Sequence, residues 1–157
     1  FNVFGPGMQE NDYRVLPNFA SRIKAGVPLN VYGSGLQTRT FCYITDAMVG
    51  FFLVILKGTP GEAYNIGTPN PEVSMIDLVQ TLQSISEQKL AYNQIEYPAS
   101  YPSDEPMRRC PDIQKARTQL DFDPIVRLDD GLKRFLDWTN IVFTGRPNKL
   151  GEGNNTR

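Results

Sequence analysis

Residues 29–43 read Leu-Asn-Val-Tyr-Gly-Ser-Gly-Leu-Gln-Thr-Arg-Thr-Phe-Cys-Tyr. Leu29 to Tyr32 predicts a strand, Gly33-Ser34-Gly35 a turn, and Thr38 to Ile44 a second strand. The G-x-G inside this stretch invites a dinucleotide-loop reading. Such a loop follows a strand and opens a helix, so that the helix N-terminus meets the phosphate. Here Gln37-Thr38 and a β-patterned segment follow, which favours a hairpin turn. Alternation then puts Arg39, Phe41 and Tyr43 on one face and Thr40, Cys42 and Ile44 on the other.

On either side the pattern is mixed. Phe1 to Phe4 reads as a strand ended by Gly5-Pro6-Gly7. Val15, Leu16, Phe19 and Ile23 recur at helical spacing, so 14–24 predicts a helix, with Pro17 tolerated in its first turn and Gly26 as its stop. Thr45 is the candidate N-cap of a helix running to about Lys57, with Asp46 suited to the positive end of its dipole. Ala63 to Ile66 and Gln94 to Tyr97 read as strands. Ser74 with Asp77 three residues on is a shortened capping box. Residues 98–111 hold four prolines and read as loop. Asp112 caps a short helix through Leu120, and a last helix spans about Asp129 to Thr139, burying Leu132, Phe135, Leu136 and Trp138. From Thr144 onward the composition predicts a disordered tail. The fold class is α/β, with short strands and large connecting helices. One lobe over 1–143 and a tail over 144–157 are expected.

Composition bounds the chemistry. The chain has 157 residues, 40% hydrophobic and 21% charged, which suits one globular domain. No histidine is present, so Ser-His-Asp, Cys-His and His-rich metal sites are excluded. The two cysteines, Cys42 and Cys110, form no C-x-x-C pair, which suggests packing thiols in a reducing, cytoplasmic compartment. With 16 basic and 17 acidic residues, nothing calls for nucleic acid or a membrane surface. The chain opens Phe-Asn-Val-Phe-Gly-Pro, without Met, on a strand already under way. A piece of a longer protein is the expectation.

Arg39 reads two ways: a surface residue of an edge strand, or a clamp whose planar guanidinium donates paired hydrogen bonds to a phosphate. Arg108 and Arg109 are either solvated or placed to close over a phosphate. Asn2 and Asn65 sit at strand ends, where an amide caps a turn or binds a ligand. Asp129-Asp130 is explained by helix capping, and no general base stands out.

Five strings occur in order: FNVFGP, NDYRVLPNF, PLNVYGSGLQTRTFCYITD, YNIG and DEPMRRCPDIQKA. Together they resemble the C-terminal portion of an extended short-chain dehydrogenase/reductase, the NAD-dependent nucleotide-sugar epimerase and dehydratase family. Within it, the strings look most like the decarboxylases that convert UDP-glucuronate to UDP-xylose. The resemblance covers about Phe1 to Thr139. It implies an extended Rossmann-fold enzyme whose N-terminal dinucleotide-binding part is missing here. It also implies NAD as cofactor, a UDP-sugar as ligand, and a homodimer at full length. Asn2 would contact the sugar nucleotide near its diphosphate. Val3 would pass the nicotinamide, and Arg14 would lie near cofactor and sugar. Leu16 and Phe19 would line the nucleotide site. Pro28, Val31 and Tyr32 belong to the strand that holds the base. Arg39 would grip the diphosphate, with Asn65 and Arg109 adding contacts to diphosphate and ribose. The family's glycine-rich cofactor loop and its Tyr-x-x-x-Lys proton-transfer pair are absent, so no catalytic residue is assigned and no turnover is expected. Gly7 stands where the decarboxylases usually carry Arg, and Tyr13 where they usually carry Gly. A lobe lacking its Rossmann partner should expose apolar surface and either self-associate or be marginally stable.

Overall fold

The computed structural model describes residues 1–10, 12–86, 88–97 and 106–146. The chain order is β1 (Val3–Phe4), α1 (Val15–Ala25), β2 (Leu29–Tyr32), β3 (Thr38–Arg39), β4 (Cys42–Tyr43) and α2 (Ile44–Lys57). It continues with β5 (Val73–Ser74), α3 (Met75–Ser86), β6 (Tyr92–Ile95), β7 (Arg108–Arg109), α4 (Gln114–Leu120) and α5 (Leu128–Val142). Three small sheets result: β1 parallel to β4, β2 parallel to β6, and a three-stranded sheet in the order β5-β3-β7. This is the α/β class that the pattern implies.

The helices follow from local chemistry. In α1, Leu16, Phe19 and Ala20 are buried, and Pro17 falls in the first turn where its missing N–H costs nothing. Gly26 ends it with φ 68°, its N–H donating to the Arg22 and Ile23 carbonyls. The capping box of α3 is present: Asp77 N–H donates to Ser74 Oγ at 3.0 Å, and Ser74 N–H returns one to Asp77 Oδ2 at 3.1 Å. In α5, Leu132, Phe135, Leu136 and Thr139 form the buried stripe, and Asp129 and Asp130 sit at the positive end of the dipole. These helices close one large core with Phe4, Leu29, Val31, Phe41 and Tyr43. A smaller core, Ile66, Ile113, Ala116, Leu120 and Phe122, lies beneath α2 and α4.

The strands depart from the sequence pattern. The segment expected to be one strand over 38–44 breaks at Thr40-Phe41 because it changes partners. Its first part pairs with β5 and β7, and its second with β1. At the break, Thr40 N–H donates to Arg109 O at 3.3 Å and the Asn2 amide donates to Thr40 O at 2.7 Å. All five residues from Arg39 to Tyr43 are buried, so the expected alternation is hidden by cover on both faces. The turn at Gly33–Gly35 exists, but no hairpin forms, because β2 pairs with β6. Gly35 O instead accepts from the first amides of α3, Met75 and Ile76, at 3.0 and 3.3 Å.

Smaller shifts have similar causes. The N-cap of α2 is Tyr43 rather than Thr45, without a side-chain cap. Asp46 is buried and accepts Val126 N–H at 2.9 Å. No strand forms over 63–66; Ile66 O instead accepts from the Phe1 amine at 3.0 Å. β6 begins two residues earlier than expected, and β7 falls in a segment read as loop. The N-cap of α4 is Ile113, while Asp112 accepts the Gln114 amide at 2.8 Å. α5 starts one residue earlier and ends three later than expected.

Thr144, Gly145 and Arg146 fold back onto Glu10, whose carboxylate accepts all three backbone N–H groups and the Thr144 hydroxyl. The remainder of the expected tail, 147–157, lies outside the described residues. Burial pushes the Glu10 carboxyl up, but these hydrogen bonds outweigh it and hold it down at about 2 from an ordinary 4.5. A folded value below the unfolded one stabilises above pH 4.5, and that contribution fades as pH falls toward 2.

Among the described residues no helix is long and apolar enough to cross a membrane. α2 nevertheless exposes Met48, Phe51, Phe52, Ile55 and Leu56, the last two 77% and 78% accessible.

The inner side of α2 supplies a sharp test. A Cβ on Gly50 would sit 2.4 Å from Ile66 Cγ2 and 3.0 Å from Phe122 Cε2. An exposed helical Gly→Ala change gains up to about 1 kcal/mol. Here the clash meets a χ1-stiff isoleucine and costs about 1–3 kcal/mol, reversing the sign. Gly50→Ala should lower the urea midpoint; a raised midpoint contradicts this packing.

Candidate functional site

A cavity of about 690 Å³ opens between α1, β2, β3 and the residues flanking β1. Its floor is apolar, formed by Leu16 and Phe19 of α1, Val31 of β2, and Phe41 and Phe4. Each of these is also a core residue, so the floor is as rigid as the fold.

The polar wall comes from the three-stranded sheet. β3 and β7 run parallel with Arg39 and Arg109 as register partners, and both line the cavity. Side chains at such positions project from the same face. Arg39 is only 7% exposed, and its Nη1 donates to Thr38 O at 2.7 Å and Met107 O at 3.3 Å.

Glu72 fixes this wall. Its Oε1 accepts from Thr38 Oγ1 at 2.5 Å, and its Oε2 from Arg108 Nε and Nη2 at 3.0 and 2.8 Å. One carboxylate thus ties the end of β5 to β3 and β7. The Thr38 hydroxyl and then the Arg108 guanidinium hold its carboxyl below the usual range. The backbone completes the join: Thr38 N–H donates to Met107 O at 2.7 Å.

On the opposite side, Asn2 adopts φ 43° and gives its amide to Thr40 O, a left-handed conformation that asparagine tolerates. Val3 follows it in the lining. Arg14 lines the cavity and pairs with Asp12 through Nε at 2.8 Å and through Nη2. That pairing lowers the Asp12 carboxyl and raises the Arg14 guanidinium.

At the mouth, the Tyr97 ring stacks on Tyr32, centroids 5.6 Å apart and planes at 19°. Gly33 makes this possible: at φ +61° a Cβ would lie 2.8 Å from Tyr97 Cε2. Burial pushes the Tyr32 phenol up, so it stays a neutral hydroxyl.

Of the residues nominated from sequence, Asn2, Val3, Arg14, Leu16 and Phe19 line this cavity, as do Val31, Tyr32, Arg39 and Arg109. Pro28 and Asn65 do not. Pro28 is exposed, and its carbonyl accepts Arg22 Nε at 2.6 Å. Asn65 gives its amide to Asp112 O at 2.9 Å, tying the chain to the start of α4. Sequence reading missed Asn18, Gln37 and Tyr97. Asn18 and Gln37 are buried polar residues. Asn18 carries a signal, a polar residue inside the apolar run Val-Leu-Pro-Asn-Phe; Tyr97 carries none, because its place depends on the β2–β6 pairing.

Other chemistry is thin. Burial raises the Cys42 thiol, leaving it a packing group. Among the described residues no three His, Cys, Asp or Glu side chains could hold a metal ion.

Comparison with known proteins agrees with the fold. Residues 1–67 match the model of the NAD dependent epimerase/dehydratase family. UDP-glucuronic acid decarboxylase 1 of Xenopus tropicalis is 36% identical over 138 residues, 88% of this chain and 31% of that protein. dTDP-D-glucose 4,6-dehydratase of Homo sapiens is 34% identical over 144 residues, 90% of this chain and 40% of that protein. The crystal structure of UDP-glucuronic acid 4-epimerase from Bacillus cereus, in complex with UDP-glucuronic acid and NAD, superposes with a TM-score of 0.81. It is 30% identical, and the match covers 91% of this chain and 44% of that one. The chain belongs to the NAD-dependent epimerase/dehydratase family, with the α/β fold of the extended short-chain dehydrogenases/reductases. It spans 31% to 40% of the length of these two relatives.

The Glu72 tie can be read by amide exchange. Glu72→Ala should speed exchange of the Thr38 and Thr40 amides by about tenfold or more, with α5 unaffected. Unchanged protection at Thr38 would mean the carboxylate does not hold the sheet.

Proposed function

We propose that this chain is the nucleotide-sugar-binding part of a longer NAD-dependent enzyme that decarboxylates UDP-glucuronate. The observation that carries the reading is the pair Arg39 and Arg109, in register on adjacent strands and lining one cavity. Two planar forks side by side match the two phosphates of a nucleoside diphosphate. The apolar floor of Leu16, Phe19 and Val31 suits the base and ribose faces, and Tyr32 supplies a flat ring beside the base. Asn2 offers an amide near the diphosphate.

Val3 and Arg14 lie on the same cavity and would border the nicotinamide. Their fit to NAD is partial, since one apolar side chain and one paired cation cannot hold a dinucleotide. NAD, when bound to the whole enzyme, would supply hydride exchange at the sugar C4, the oxidation level from which a uronic acid can lose CO2. This chain's residues would bind and orient the UDP-sugar for that exchange. They do not move the proton: no histidine and no Tyr-x-x-x-Lys pair is present. The N-terminal dinucleotide-binding part would supply those groups. Its apolar surface would also cover Phe51, Phe52, Ile55 and Leu56 of α2, which suits a chain spanning 31% of a full-length relative. A homodimer in a reducing, cytoplasmic compartment completes the reading.

A second reading is a part of a dTDP-glucose 4,6-dehydratase or a UDP-hexose 4-epimerase. The human dehydratase at 34% identity favours it, and Gly7 and Tyr13 depart from the decarboxylase pattern. The same arginine pair would serve each. A non-catalytic nucleotide-sugar-binding remnant is the third reading, and it predicts the same binding.

Calorimetric titration tests the nucleotide binding that these readings share and separates the uridine readings from the thymidine one. UDP should bind, and Arg39→Ala should weaken it by about tenfold or more, equal to ~1.4 kcal/mol. Uridine, which lacks phosphates, should bind the two proteins alike. Preference for dTDP over UDP would favour the dehydratase reading. Absence of UDP and dTDP binding would overturn nucleotide binding by this chain alone.

A further inference from the structure

The described part of the loop between β1 and α1 carries Met8, Tyr13 and Arg14, which form one rim of the cavity. It contains no helix or strand. Gly5 and Gly7 at its start have φ 147° and 100°. Its internal ties are short-range: Asp12 N–H donates to Gln9 O at 3.1 Å, and Arg14 N–H to Asp12 Oδ1 at 2.9 Å. Met8 packs against the large core and Arg14 is the N-cap of α1, so the loop is held near its two ends and the stretch between them needs a further tie.

Glu10 supplies it. Its Oε1 accepts Gly145 N–H at 2.6 Å and Arg146 N–H at 2.9 Å. Its Oε2 accepts Thr144 N–H and Thr144 Oγ1, both at 2.9 Å. Ser21 Oγ, buried on α1, approaches Oε1 at 3.3 Å. Consecutive backbone N–H groups converge on this carboxylate as a nest does on an anion. Gly145 has φ 75° and its α-carbon region lies against Lys24 and Ala25 of α1. Lys24 Nζ in turn donates to Asn140 O of α5 at 2.5 Å. Phe143, 3% exposed, anchors the segment against Trp138, ring centroids 5.6 Å apart. The C-terminal segment is therefore fastened to α5 and α1, and Glu10 fastens the cavity rim to that segment.

We propose that Glu10 is a positioning residue for the cavity: by clasping the backbone of Thr144, Gly145 and Arg146, it holds Met8, Tyr13 and Arg14 at the rim. The chain just past α5 thus shapes a site to which it contributes no lining residue. The ligand arm of the test rests on the nucleotide-sugar reading; the exchange arm does not.

The test compares residue-level amide exchange and UDP titration in the full chain, Glu10→Ala, Glu10→Gln and Gly145→Pro. Gly145→Pro removes the shortest donor from the other side of the clasp and, because proline cannot take φ 75°, also displaces the backbone that carries the other two. Glu10→Ala and Gly145→Pro should each speed exchange by about tenfold or more at both ends together, Thr144–Arg146 and the hydrogen-bonded Asp12 and Arg14 amides of the rim, with α3 unchanged. Glu10→Gln, which keeps length and loses charge, should fall between. UDP affinity should drop by about threefold or more in Glu10→Ala, with uridine affected in parallel if the rim shapes the whole cavity. Faster exchange confined to Thr144–Arg146 overturns the proposal, because Glu10 then merely tethers the C-terminal segment. Loosening at both ends with unchanged UDP affinity overturns it as well, leaving a clasp without a role at the site. If UDP fails to bind the unsubstituted chain, the nucleotide reading fails and the exchange pattern alone decides the clasp.

Discussion

The architecture turns on a change of partner at Thr40-Phe41. A single extended segment belongs to two sheets, pairing first with β5 and β7 and then with β1. Both faces of that segment are covered, so its backbone polar groups must be satisfied internally. Asn2 answers at the break itself by donating to Thr40 O. The consequence is positional. Because β7 joins β3 in parallel register, Arg109 is set beside Arg39, and Glu72 keeps the three strands from sliding. A two-residue strand has little pairing energy of its own. The site therefore depends on the carboxylate that bridges the strands and on the core behind Phe41.

The helices were legible because their signals are local. Apolar spacing marks α1, α3 and α5, and Gly26 and the Ser74–Asp77 box mark ends that the structure keeps. Strand partners were not legible, because pairing joins residues far apart in sequence. β2 looks ready for a hairpin with the segment after Gly35, yet residues 92–95 take its edge. Nothing in the string Met-Arg-Arg-Cys announces a strand; β7 exists because β3 offers an open edge. The candidate site divides the same way. Arg39 stands out as a cation among aromatic neighbours, and Leu16 and Phe19 follow from helical spacing. Tyr97 reaches the cavity only through the β2–β6 pairing and the room left by Gly33.

Two surfaces outside the cavity bear on the proposed binding lobe. The apolar outer face of α2 fits a large covering partner, and the proposed N-terminal part supplies one. The C-terminal residues past α5 act at closer range, through one carboxylate. The second joins a cavity of core-quality walls to a segment with little regular structure, where most tolerance to sequence change resides.

If Arg39 and Arg109 act as one diphosphate cradle, a crystal structure of the chain with UDP should show it. Diphosphate oxygens should lie within about 2.7–3.2 Å of both guanidinium groups, with the base over the Leu16–Phe19 floor. A diphosphate bound away from this pair, with Arg39 still turned to the Thr38 and Met107 carbonyls, would contradict it.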